Sequence, residues 1–169
     1  MNKTKKLAVT SLLTAVAIVG STFSFPVLGS KCAPVQHMVN VLCAVLVGPL
    51  YGLLSAFMAS LIRNLLAMGS LMAFPGSMFG ALLAALLYKK SKKLSLALLG
   101  EIFGTAVLGG LCAYPIAILF MGKSAGEVAF YAYVLPFFIS TAAGSIIAGL
   151  LLASMQKTGV LSKTQNSLK

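Results

Sequence analysis

Residues 35–68 read VQHMVNVLCAVLVGPLYGLLSAFMASLIRNLLAM, an apolar run far longer than the roughly 20 residues that one helical crossing of a bilayer needs. Gly48-Pro49 falls near its middle, where a helix must break or kink. The stretch therefore reads as two helices joined by a tight turn. Its outer ends carry polar clusters, Gln36-His37-Asn40 on one and Arg63-Asn64 on the other. A hairpin across a membrane brings both clusters to the same side.

The composition agrees with a membrane setting. Of the 169 residues 59% are hydrophobic and 9% charged, and the mean hydropathy is +1.00. A soluble domain cannot bury that much apolar surface. The net charge of +11 comes mostly from lysines at the ends of apolar segments. That placement suits an anionic cytoplasmic leaflet and not nucleic acid, which would want basic residues spread over a polar face with aromatics among them. Cys32, Cys43 and Cys112 have no metal-like spacing, and two of them lie inside apolar runs, so they read as small membrane hydrophobes.

Working outward, the chain divides into helices at about 7–28, 35–47, 50–68, 74–88, 94–121 and 128–155, with a polar tail over 156–169. The run Leu7 to Leu28 follows Lys3, Lys5 and Lys6 as a signal peptide would. It is longer than a usual signal core, and no polar mature domain follows, so it is expected to stay as a first crossing. Pro75 in Phe74-Pro75-Gly76 suits a helix start. The expected fold is an all-α membrane protein of six transmembrane helices forming one integral domain over 1–169. Six crossings put the amino-terminal lysines, Lys89 to Lys93 and the carboxy-terminal Lys157, Lys163 and Lys169 on one side, with Lys31 and Lys123 opposite. By the positive-inside rule both termini are cytoplasmic. The second and fourth helices are short enough to be re-entrant segments instead.

Intramembrane polar groups are costly and usually face a cavity or a partner. Gln36, His37, Asn40, Arg63 and Asn64 are the candidate binding residues on this ground, with Phe74, Tyr114 and Tyr131 as aromatic neighbours in the same outer half. Donors, acceptors and ring faces together suit a small heteroaromatic ligand. Taken singly, each has a bland account: an arginine near a helix end snorkels to headgroups, and tyrosines form interfacial belts. Glu101 lies about two turns into the fifth helix from the cytoplasmic side and reads as neutral or lysine-paired.

Small residues recur in Gly76-x-x-x-Gly80-x-x-x-Ala84, Gly100-x-x-x-Gly104 and Gly144-x-x-x-Ala148, a spacing that lets helices approach closely within the bundle. On the first helix Ser11-x-x-x-Ala15, with Ala8 and Ala17 nearby, forms a face suited to another subunit. Phosphate loops, zinc-protease motifs and paired intramembrane acids are absent from the sequence. The chain is read as no enzyme and as needing no cofactor, and any uphill transport must draw its energy from partners.

The blocks Lys31-Cys32-Ala33-Pro34-Val35-Gln36-His37-Met38-Val39-Asn40, Gly48-Pro49, Leu61-Ile62-Arg63-Asn64 and Ala73-Phe74-Pro75-Gly76-Ser77-Met78-Phe79-Gly80-Ala81 closely resemble the ThiW family, over roughly residues 5–158. That family comprises substrate-binding S components of energy-coupling factor (ECF) transporters. The resemblance implies an S-component-like bundle in a prokaryotic cell membrane. It implies a thiazole substrate, hydroxyethylthiazole, and as partners a transmembrane T component and two ATPase subunits. The helix face that docks on the T component, usually Ala-x-x-x-Ala, would here be Ala8, Ser11 and Ala15, with Ser departing from the plain motif.

Three alternatives stand beside it. One is an S component for the pyrimidine precursor or for thiamine, the latter disfavoured because a cation would meet Arg63 with no outer carboxylate except Glu127. Another is an intramembrane enzyme using His37 and Glu101, disfavoured because the assigned helices place the two near opposite faces. The last is a purely structural subunit.

Overall fold

Proline and glycine place the breaks. Pro34 opens α2 (Pro34–Leu46) and Pro49 opens α3 (Pro49–Leu65), each at a first-turn position where the missing N–H has no helical partner to lose. Between them Gly48 takes φ 91°, a left-handed conformation that a side chain would strain. The expected two-helix hairpin is present at these bounds. The computed structural model describes residues 2–28, 30–124, 126 and 128–168. Glu127 and Lys169, read above as loop and tail charges, lie outside the described residues.

The remaining helices are α1 (Lys3–Gly20), α4 (Ala73–Ser91), α5 (Leu94–Phe103), α6 (Gly110–Met121), α7 (Val134–Lys157) and α8 (Val160–Ser167). A π-helical turn over Gly104–Gly109 joins α5 to α6, so the two form one rod, Leu94–Met121. By length and apolarity Lys3–Phe23, Leu94–Met121 and Val134–Lys157 each suffice to cross a membrane.

Three regions differ most from the sequence expectation, while α3 ends three residues early and α4 three late. The first helix stops at Gly20, and after a 3₁₀ turn (Ser21–Phe23) the chain forms a hairpin of β1 (Phe25–Val27) and β2 (Ser30–Cys32). Their antiparallel register pairs Phe25 with Cys32 and Pro26 with Lys31. Pro26 keeps the helix from resuming beyond the turn, since it disfavours the α region at Phe25 and cannot continue a helix. The mostly helical bundle thus carries one short sheet. The last long helix starts at Val134 and not near residue 128, which leaves Pro136 within its first turn. The tail is not loose. Gly159 turns it at φ 72° and α8 folds back, with Leu161 and Leu168 buried and Gln165 Nε2 donating to Val45 O at 2.9 Å and to Tyr88 Oη at 3.0 Å.

Packing runs opposite to that of a water-soluble bundle. On α7 the buried positions are Pro136, Ser140, Thr141, Gly144, Ser145, Ala148 and Leu152, while Leu135, Phe138, Ile139, Ile146, Ile147, Leu150 and Leu151 are exposed. Small and hydroxylated residues inside with large apolar ones outside suit a lipid surround. Helix α4 is the hub, packed on α2, α3, α5 and the π turn. Glycines on the facing α5 and π turn allow this. A Cβ on Gly104 would come 2.6 Å from Phe79 O, and one on Gly100 would come 2.9 Å from the backbone N of Ala84. Both small-residue stripes therefore serve packing within the chain.

Candidate functional site

Helix α2 brings three polar side chains into the bundle within little more than one turn: Gln36, His37 and Asn40 are all buried. Opposite them α5 contributes Glu101, which has 0% exposure. Glu101 Oε1 collects three groups: His37 Nδ1 at 2.9 Å, Asn40 Nδ2 at 3.0 Å and Thr105 Oγ1 at 3.2 Å. Thr105 follows Glu101 by one turn, so both share a face, and its single hydroxyl proton alternates between Glu101 and Gly76 O, 3.1 Å away. Space for the carboxylate exists because residue 80 is glycine: a Cβ there would collide with Thr105 Oγ1 and sit 2.7 Å from Glu101 Oε2.

The sequence reading set His37 and Glu101 near opposite faces, and the structure corrects it. Helix α2 has 13 residues, only ~20 Å at 1.5 Å per residue, so its fourth residue, His37, lies ~14 Å from the lysine-side end of the helix. Glu101 is the eighth residue of α5 counted from the lysine-bearing end, ~10 Å up by the same rise. The two therefore meet. Their contact removes the separation that disfavoured an intramembrane enzyme, yet Glu101 Oε1 takes all three bonds, from His37, Asn40 and Thr105, while its buried Oε2 has no hydrogen-bond partner among the described residues. The carboxylate thus serves as a framework acceptor.

A second hydrogen-bond chain ties α2, α3 and α4 together. Gln36 Nε2 donates to Ser60 Oγ at 3.0 Å, Ser60 and Ser77 hydroxyls lie 2.8 Å apart, and Ser77 Oγ donates to Ala73 O at 2.9 Å. Asn40 Nδ2 also reaches Ser77 O at 3.2 Å. Across the bundle, Ser140 Oγ accepts from Ala33 N at 2.9 Å, pinning the start of α2 to α7.

Above this layer lies a cavity of about 40 Å³, room for a water or two and not yet for a substituted ring. Lys31, Gln36, His37, Arg63, Phe137 and Ser140 line it, together with the loop Gly69–Met72 and the first turns of α4. It sits where α2 and α4 begin and α3 ends, at the hairpin end of the bundle. At the other end Lys6, Lys89 and Lys92 gather around α8 and the α2–α3 turn.

Of the residues singled out from sequence, Gln36, His37 and Arg63 face this cavity. Asn40 lies one layer below it, on Glu101. Asn64 holds the adjoining loop, donating to Ser60 O at 2.8 Å and to Ser70 O at 3.1 Å. The three aromatic residues do not line it. Phe74 packs against Phe57, with centroids 5.7 Å apart, because it points from α4 toward α3. Tyr114 belongs to a separate cluster with Met72, Ala113, Ala117 and Tyr133. Tyr131 precedes the actual start of α7 and is 61% exposed, edge-on to Phe130. The ring that faces the cavity is Phe137, which sequence reasoning missed along with Lys31, Ser77, Thr105 and Ser140. The four-residue step from Glu101 to Thr105 was the available signal for one of them. Ala8, Ser11 and Ala15 are exposed along α1, whereas Ala17 is buried and belongs to the core.

No curated protein matches the sequence. A solved structure described as the S component of a bacterial ECF transporter matches the fold with a TM-score of 0.76 at 20% identity, over 93% of this chain and 98% of that one. Residues 7–158 match the family model described as thiamine-precursor transporter protein, ThiW. With that match spanning most of its length, the chain belongs to the ThiW family: a multi-pass integral membrane subunit for transport of a thiamine precursor, and not an enzyme.

Proposed function

We propose that this chain captures hydroxyethylthiazole from outside the cell and hands it to an ATP-driven importer as the specificity subunit. The observation that carries the reading is the convergence of Gln36, His37 and Arg63 on one cavity lined by Phe137, at the end of the bundle away from Lys6, Lys89 and Lys92. Phe137 offers a ring face for the thiazole, and the three polar side chains offer hydrogen bonds to its nitrogen and hydroxyl. Six crossings with both termini cytoplasmic agree with this arrangement, since Lys6, Lys89 and Lys92 then face the anionic inner leaflet.

The cavity must widen to admit the ligand, and the loop over 66–72, which contributes Gly69, Ser70 and Met72 to its lining, is the segment assigned to that movement. Energy comes from a T component and two ATPase subunits, docked on the exposed face of α1 at Ala8, Ser11 and Ala15. Ser11 and Ala15 border a groove whose other wall is Tyr51, Leu54, Met58 and Ile62 of α3.

Calorimetric titration of the detergent-purified chain with hydroxyethylthiazole, the aminopyrimidine precursor and thiamine tests the assignment. Saturable binding of the thiazole alone, weakened in His37→Ala and Gln36→Ala, is the expected result. Equal affinity for thiamine, or indifference to both substitutions, would remove the substrate or the site respectively.

A further inference from the structure

Arg63 is 3% exposed, so it does not reach the headgroups as a snorkelling arginine would. Its Nε makes no hydrogen bond, and among the described residues the ion pair found is His37 with Glu101, which leaves Arg63 without a carboxylate. A guanidinium buried in this way is costly unless something pairs with it. It lines the cavity, and so does Ser30, whose buried hydroxyl also lacks a partner. Lys31 stands at the same cavity.

The helix ends add to the same field. Helices α2 and α4 both begin at the cavity, neither has a side-chain N-cap, and neither carries an acid in its first turn. Their positive ends are therefore uncompensated. Glu101, a layer below, has Oε1 committed to His37, Asn40 and Thr105; at the cavity itself the described charged side chains and helix ends are positive.

Resting on the reading that this cavity is the substrate site, we infer that it is built for a thiazole carrying an oxyanion, a carboxylate or a phosphate monoester, received by Arg63 with Lys31 and Ser30. A planar guanidinium matches two oxygens of either group. The cavity already open at Arg63 gives such a group its entry, and widening along Phe137 makes room for the ring. Arg63 is then the residue that sets specificity between charged and neutral thiazoles.

The test is calorimetry on the full chain in nanodiscs with hydroxyethylthiazole, its phosphate monoester, a thiazole carboxylate and inorganic phosphate. At least one anionic thiazole should bind about tenfold or more tighter than the neutral one, as expected for hydrogen bonds to a charged group. Which of the two wins separates carboxylate from phosphate. The preference should vanish in Arg63→Gln, survive in part in Arg63→Lys, and shrink in Lys31→Gln and at high salt. Should Arg63→Gln fail to fold by thermal unfolding, the wild-type ranking and Lys31→Gln still decide.

Neutral thiazole binding as tightly as both anions would overturn this inference while leaving the proposed substrate standing. Binding of inorganic phosphate but of no thiazole, lost in Arg63→Gln, would keep the oxyanion subsite and remove the thiazole. An anion preference that is absent from the wild type and appears in Glu127→Gln would identify Glu127 as the partner of Arg63 and overturn the inference.

Discussion

His37 Nδ1 lies 2.9 Å from Glu101 Oε1, inside a bundle where these are the acid and the imidazole at one depth. With Glu101 ionised, Nδ1 must be the protonated nitrogen, because the carboxylate oxygen is acceptor-only. The other ring nitrogen is then left for a ligand. The contact orients His37 as carboxylates orient histidines at other binding sites.

Replacing the acid tests this. Glu101→Gln retains the shape but loses the charge, so the protein should lose about 1–3 kcal/mol of stability, the cost of weakened bonds to buried donors. Ligand affinity should fall with it, as His37 is no longer held in one tautomer. Thermal unfolding in detergent together with calorimetry reads both. An unchanged melting temperature and affinity would mean that Glu101 holds nothing.

Gly80→Ala should cost about 1–3 kcal/mol, the usual range for overpacking, because the added methyl meets both Thr105 Oγ1 and the Glu101 carboxylate. Gly126→Ala is the control, since nothing lies within 4 Å of a Cβ there. Equal melting temperatures for the two variants would contradict the close approach of α4 to α5.

The aromatic assignment divides cleanly. Phe137→Ala should weaken ligand binding by roughly tenfold, the scale of a lost ring contact with its burial. Tyr131→Ala, at an exposed position, should leave affinity unchanged. A reversed order in titration would return the site to the residues first read from sequence.

Asn64→Ala frees the loop 66–72 by removing the bond to Ser70 O, worth about 0.5–1.5 kcal/mol. Hydrogen exchange in that loop should accelerate and ligand dissociation should quicken, with little change in the melting temperature. Faster exchange without faster dissociation would show that the loop does not control exit.

Residue chemistry in the chain was enough to expose the two-helix hairpin, since Gly48-Pro49 breaks any helix through it and apolar length on either side sets the bounds. The polar residues of α2 were legible for the same reason: an apolar run makes Gln36, His37 and Asn40 conspicuous. Arg63 stood out likewise. Phe137 did not, because one phenylalanine among many in an apolar chain carries no mark of which face it takes. Ser60, Ser77 and Ser140 were equally unmarked, as small hydroxyls are ordinary in packed membrane helices.

Residue order and chemistry dictate that the chain lives in a membrane, where its helices break, and which few polar groups need partners there. Those are local properties, fixed by solvation cost and by the φ restrictions of proline and glycine. Only the tertiary structure decided that His37 meets Glu101, that Arg63 is left with an unpaired Nε beside a cavity, and that the tail returns as α8. Depth and facing depend on where a short helix such as α2 begins relative to its neighbours, and on glycines such as Gly80 that let two backbones close. Neither is written in any single helix.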